Sequence, residues 1–476
     1  MTKSISRAGA ASFGALTLLM IAQPSPAQPR PGPSGDYQAM ARSIFKELVE
    51  IKTTESGVGS TPAALAVARR LRAAGFPAAD IQVLGPYPKK QNVVARIHGS
   101  GEGKPILLIA HLDVVEARPE DWSAGLDPFR FIEKDGYFYG RGTQDIKEGV
   151  TILVTNFIRW KREGWVPSRD LILALTADEE EYGDGDGVAW LLKTHRSLID
   201  AEYCLNADGG DFQNKDGKPY TVTVAAAEKK ETIIRLETQN RGGHGSLPRK
   251  DNAINELVAA LAKVEALRFP PMLSEVTQVE FGAMAKLETG QVAVDLAAMT
   301  REPLDPAAVE RLSENPYFNA LLRTTCVATM LEAGHGPSAL PQRAAATLNC
   351  RILPWHSPEA MLATLKQTIA DDQVAVTWRF LETEPQPASP LRPELFTTIE
   401  KLRDQLWPGA VVMPGIETGG TDGRFLRGVG IPAYGISGVF LEQGDVRAHG
   451  RDERIRAKDF FDGVTFYNLF VKALVQ

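Results

Sequence analysis

The sequence predicts an α/β fold: a mostly parallel, doubly wound sheet forming the larger domain, with a smaller α+β domain inserted into it. Three observations predict it. Apolar runs alternate with helical patterns from about Asp36 to Asp216, as a parallel sheet with helical crossovers requires. The texture then changes to alternating strands and two amphipathic helices, and it returns to helix and strand from about Glu382 onward. The chain of 476 residues is also long for a single core, so more than one domain is expected.

In chain order, Lys3 and Arg7 precede the apolar run "AGAASFGALTLLMIA", followed by "QPSPAQ" with small residues suited to cleavage after Ala27. This is the pattern of a secretory signal peptide (1–27), and the run is shorter than the roughly 20 residues a membrane span needs. An exported, periplasmic or secreted protein with no stable membrane anchor is expected. The Pro-rich "QPRPGPSGD" leads into the fold.

The first catalytic segment (28–217) is expected to hold a helix over Ala64–Ala74 stopped by Gly75, a strand at Ile106–Ala110, a helix at Glu148–Arg162 and a strand at Leu171–Thr176. The inserted α+β unit (218–381) opens with "YTVTVAAAEKKETIIRLETQ". It carries a helix from Asn252 with Ile254, Leu257, Val258 and Leu261 on one face, and another from the Ser357–Pro358 cap with Leu362, Leu365 and Ile369. The last segment (382–476) completes the catalytic domain and ends in a helix near Phe460–Leu474.

Composition excludes several classes. A net charge of −6 with no long basic run argues against nucleic-acid binding driven by counterion release. Cys204, Cys326 and Cys350 are widely spaced, so at most one disulfide forms and no cysteine-ligated metal site is expected. No G-x-S-x-G elbow of a serine hydrolase occurs.

What remains is a recurring constellation at strand ends. His111 and Asp113 follow "ILLIA", Asp145 lies in "GRGTQDIKEG", Glu179 and Glu180 follow "LILALTAD", and Asp208 lies in "LNADGG". Ligands of open α/β sheets bind at the carboxyl ends of the strands. A His/Asp/Glu set without cysteine suits a hydrolytic metal site, and two zinc-type ions about 3.5–4 Å apart share a carboxylate. Taken singly, each residue is equally at home as a helix cap or a surface charge.

Together with "NRGGHGSLPRKDNAI", "LPQRAAATLNCRILP", "TGGTDGRF" and "RAHGRDERI", these motifs resemble, in order and over nearly the whole mature chain, the dinuclear zinc exopeptidase and deacylase family. That family includes glutamate carboxypeptidase, aminoacylase, carnosine dipeptidase and succinyl-diaminopimelate desuccinylase. The resemblance implies two Zn²⁺ per subunit, with Co²⁺ or Mn²⁺ as alternatives. His111 and Asp208 would hold one ion, Glu180 and His449 the other, and Asp145 would bridge them.

It implies Glu179 as general base, with Asp113 orienting His111. His244 would serve an oxyanion in the partner subunit of a homodimer. Arg351 and the backbone of Gly419, Gly420 and Thr421 would grip a substrate carboxylate, although Arg351 could equally serve a salt bridge within the small domain. Ser338 departs from the Asn many relatives carry before "ALP".

The implied reaction is hydrolysis of an amide next to a free carboxylate, as in a dipeptidase or carboxypeptidase. Asp208, where carboxypeptidase-type relatives tend to carry Glu, tilts toward dipeptides. N-acyl amino acid hydrolysis is the alternative, and a non-catalytic binding protein on the same fold is the third reading.

Overall fold

The computed structural model describes residues 1, 34–101, 103–181, 185–381 and 386–476. Apart from Met1, the expected signal peptide lies outside them, as does most of the Pro-rich leader. Among the described residues no helix is long and apolar enough to cross a membrane.

A ten-stranded sheet forms the larger layer. Its centre is parallel: Leu171–Thr176, Ile106–His111, Tyr203–Asn206 and Ala433–Gly435 lie side by side. Lys90–Ile97 and Ile81–Tyr87 extend one edge antiparallel. Lys218–Glu228, Asp211–Lys215, Phe440–Glu442 and Val411–Glu417 extend the other.

Every residue of Ile106–His111 and Leu171–Thr176 is buried, because helices cover both faces. Alternate residues feed different cores. Ile106, Leu108, Leu171, Leu173 and Leu175 pack with the helices Ser34–Val49, Thr61–Ala73, Lys147–Glu163 and Ala457–Leu474. Leu107, Ile109, Ile172 and Ala174 pack on the other side, with Val188, Leu191 and Leu426. These elements fall within a few residues of the expected ones, and Gly164 ends the helix Lys147–Glu163 in the left-handed conformation (φ 63°) that glycine adopts without strain.

A second sheet of four antiparallel strands runs in the order Thr325–Ala333, Arg343–Ile352, Lys230–Gln239, Val374–Leu381. The helices Ala253–Ala266 and Pro358–Ile369 share one core with it. Two expectations need correction here. The chain passes from the large sheet to the small one at Lys229, not at residue 218, because Lys218–Glu228 pairs wholly within the large sheet. The helices Glu275–Met284, Gly290–Ala298, Pro306–Ser313 and Pro316–Leu322 also stand apart from the small sheet, packing with Ala227, Met413 and Ile416 of the large one.

The helix Ala253–Ala266 buries Ala253, Leu257, Ala260 and Val264, leaving Ile254 and Val258 exposed. Alanines let the helix approach the sheet closely, so its core face is rotated from the one the larger side chains mark.

Cys326 and Cys350 face each other on adjacent strands and form a disulfide, while Cys204 is free and buried. The bridged residues are 24 apart, which in the chain-entropy account corresponds to about 3 kcal/mol. Replacing both by serine is expected to lower the unfolding free energy read from urea titration by an amount of that order, and adding reductant to the native protein should mimic the change.

Candidate metal centre

The carboxyl ends of the central strands carry the polar cluster. His111 ends its strand, Asp145 lies just before the helix Lys147–Glu163, Glu179 and Glu180 lie beyond Leu171–Thr176, and Asp208 lies beyond Tyr203–Asn206. His449 reaches the cluster from the loop before Arg454–Arg456, held at a φ of 61°.

Asp145 sits between the two histidines. Its Oδ1 is 3.0 Å from His111 Nε2 and its Oδ2 is 2.9 Å from His449 Nε2. His111 Nε2 is also 3.8 Å from Asp208 Oδ2, and His449 Nε2 is 2.9 Å from Glu180 Oε2. Two groups result, His111–Asp145–Asp208 and Asp145–Glu180–His449, each with its donor atoms within 4.8 Å of one another.

Two imidazoles and three carboxylates are held together here, and burial and their mutual hydrogen bonds set their proton affinities. Burial works to raise Asp145, but hydrogen bonds from His111 and His449 overcome it and hold the carboxyl below its ordinary value. Hydrogen bonds to Asp145 and Glu180 push His449 up to about 10. Burial alone would lower His111, yet its bond to Asp145 and the charges of Asp208 and Glu179 raise it well above normal. Burial pushes Asp208, Glu179 and Glu180 up, and Glu180 Oε1 is buried without a hydrogen-bond partner. Imidazoles and carboxylates so arranged fit divalent cations of the zinc type.

Asp113 acts differently from expectation. His111 Nδ1 bonds the main-chain carbonyl of Asp113 at 3.0 Å, whereas the carboxylate lies 3.8 Å away. That carboxylate instead accepts the backbone N–H groups of Glu179 (3.3 Å) and Glu180 (3.1 Å). It therefore fixes the turn presenting both glutamates.

A cavity of about 430 Å³ opens onto the cluster, and Arg351, Arg424, Gly419 and Gly420 line it together with Glu179 and Glu180. Arg351 lines this cavity and makes the salt bridge within the small domain, to Glu231 at 3.0 Å. Arg424, which the sequence reading did not single out, places its Nη1 3.5 Å from Glu179 Oε1. Its position three residues after Thr421 in "TGGTDGRF" was the available signal.

Thr421 requires correction. Its N–H and hydroxyl both bond the buried Glu228, at 2.9 and 2.8 Å, so its backbone is already engaged. His244 does not line the cavity within its own chain. It is exposed on the short strand Gly243–His244, paired with Ala339–Leu340, and its Nδ1 lies 2.7 Å from Ser246 Oγ.

Fold and site together define a class: an open α/β sheet with a two-lobed His/Asp/Glu centre at its strand ends. The chain belongs to Peptidase family M20/M25/M40, whose profile matches residues 107–473. It is 28% identical over 394 residues to the N-fatty-acyl-amino acid synthase/hydrolase PM20D1 of Xenopus tropicalis, covering 81% of this chain and 75% of that protein. A probable carboxypeptidase S-like 2 of Dictyostelium discoideum is 29% identical over 384 residues, covering 78% and 71%. Among solved structures, the M20 family metallo-carboxypeptidase Sso-CP2 from Sulfolobus solfataricus shares the fold with a TM-score of 0.68 at 16% identity, covering 91% of this chain and 99% of that one.

Proposed function

We propose that the protein is an exported, dimeric, dinuclear-metal hydrolase that cleaves an amide bond next to a free carboxylate, as a dipeptidase or carboxypeptidase. The observation that carries the reading is Asp145, whose two oxygens face different histidines, each accompanied by a further carboxylate. His111 and Asp208 would hold one zinc ion, Glu180 and His449 the other, and Asp145 both; Co²⁺ or Mn²⁺ would serve in their place. The bound metals supply the Lewis acidity that acidifies water and polarises a carbonyl.

The chain's own residues do the rest. Glu179, its carboxylate facing the cavity beside Arg424, takes the proton from the attacking water and returns it to the leaving amine. Arg351 with the backbone of Gly419 and Gly420 holds the substrate carboxylate. His244, reaching across from the partner subunit, stabilises the developing oxyanion.

Dimerisation is supported by the edge strand Thr325–Ala333, where Val327, Met330 and Leu331 are exposed, and by exposed Ile254 and Val258 on the adjacent helix. Apolar edges of this kind are normally covered. The disulfide supports export, because such bonds persist in oxidising compartments. The name of the Xenopus relative favours a second reading, N-acyl amino acid hydrolysis. A purely binding protein has less support, since a complete ligand-type set and Glu179 meet in one place.

Dialysis against a strong chelator is expected to abolish hydrolysis of dipeptides or N-acyl amino acids, and Zn²⁺ or Co²⁺ should restore it. Full turnover by protein shown to contain no metal would overturn the dinuclear reading.

A further inference from the structure

A second cavity, of about 380 Å³, shares Asp145, Asp208, Gly419 and Gly420 with the first but not Arg351 or Arg424. Both are rich in carboxylates, but only the first also holds arginines. No Lys or Arg lines the second cavity, whereas three carboxylates outside the proposed ligand set do: Glu148, Asp211 and Glu417. Glu148, in the first turn of the helix Lys147–Glu163, is 5% exposed, and its Oε2 has no hydrogen-bond partner. Glu417 accepts the Gly210 N–H at 2.7 Å, and Asp211 accepts from Gln213.

The nearby Arg427 does not line the cavity and is committed to Glu228 at 2.6 Å and to the Ala433 carbonyl at 2.7 Å. Unpaired carboxylates in such a place are costly. Burial accordingly pushes Glu417 up to about 7 and raises Asp211.

We propose that this second cavity binds a positively charged group on the acyl side of the scissile amide, paired by Glu148, Asp211 and Glu417. The inference rests on the hydrolytic reading above, which sets the carbonyl at the shared wall and the substrate carboxylate toward Arg351. The remainder of the substrate then enters the second cavity. A third cavity of about 220 Å³ adjoins it through Asp211, Thr223 and Tyr317, with Met284, Phe318 and Met413 among its lining. A neutral acyl chain would leave Glu148 Oε2 without a partner.

The test uses metal-loaded protein and two compounds that differ by one ammonium group, 6-aminohexanoyl-L-alanine and hexanoyl-L-alanine. The cationic compound is expected to show a kcat/KM about ten- to a hundredfold higher, the range that a buried charged hydrogen bond confers. Glu148→Gln and Glu417→Gln should each pull that ratio toward one. Equal or better cleavage of the neutral compound, or a ratio that neither variant changes, overturns the inference.

If neither compound is cleaved, it is the hydrolytic reading that fails for this substrate type. Calorimetric titration of both compounds into metal-loaded Glu179→Ala protein then decides the cavity by itself. Tighter binding of the cationic compound, lost in the added Glu417→Gln variant, supports the inference, and equal binding overturns it.

Discussion

Glu179→Ala is expected to retain both metal equivalents while its turnover falls by about 10²–10⁴-fold, the usual contribution of a general base. Glu180→Ala should instead lose metal. The two residues are adjacent in sequence, and their backbone N–H groups share one acceptor, the Asp113 carboxylate, yet their side chains diverge. Glu180 Oε2 lies 2.9 Å from His449 Nε2, within one of the two ligand-type groups. Glu179 belongs to neither group and faces the cavity with Arg424 3.5 Å away. Metal analysis by plasma emission, alongside kcat on a common substrate, separates the roles; the opposite pattern would require them to be exchanged. Because Asp113 positions both glutamates, Asp113→Ala should impair metal content and turnover together.

The parts of the fold and the site that were legible in the sequence share a cause. A strand buried on both faces must be apolar throughout, so a histidine directly after "ILLIA" or a glutamate pair after "LILALTAD" stands out against it. The same physics brings those residues together, since parallel strands end on one side of the sheet.

What was not legible depended on partners distant in the chain. The Thr421 N–H is engaged by Glu228, 193 residues away, and no local pattern announces that bond. The main-chain carbonyl of Asp113, rather than its side chain, meets His111, a choice made by the backbone turn. In the helix Ala253–Ala266 small residues face the sheet and larger ones face outward, so ranking by hydrophobicity selected a rotated face. Glu148, Asp211 and Glu417 come from three separate elements, and only the fold gathers them around one cavity.

His244→Ala is expected to lose about 10²–10³-fold in turnover, the effect of removing one oxyanion donor, although the residue lines no wall of the cavity in its own chain. Its strand pairs with Ala339–Leu340, and the neighbouring Gly245 N–H bonds the Ser338 carbonyl at 2.7 Å. His244 is thus held on an exposed two-stranded pairing, as the proposed role in a second subunit requires. Mixing and refolding inactive His244→Ala protein with inactive Glu179→Ala protein tests that arrangement. In a mixed dimer one active site carries both defects. The other combines an intact Glu179 with an intact His244 donated by its partner. Random pairing makes about half of the dimers mixed, each with one good site of two, so roughly a quarter of the native activity should return if the sites act independently. A histidine serving its own chain would give no recovery. Mass measurement of differently tagged subunits establishes that mixed dimers have formed, so absence of activity in that sample would assign His244 to a role within its own subunit; a His244→Ala protein that is itself fully active would place the residue outside the reaction.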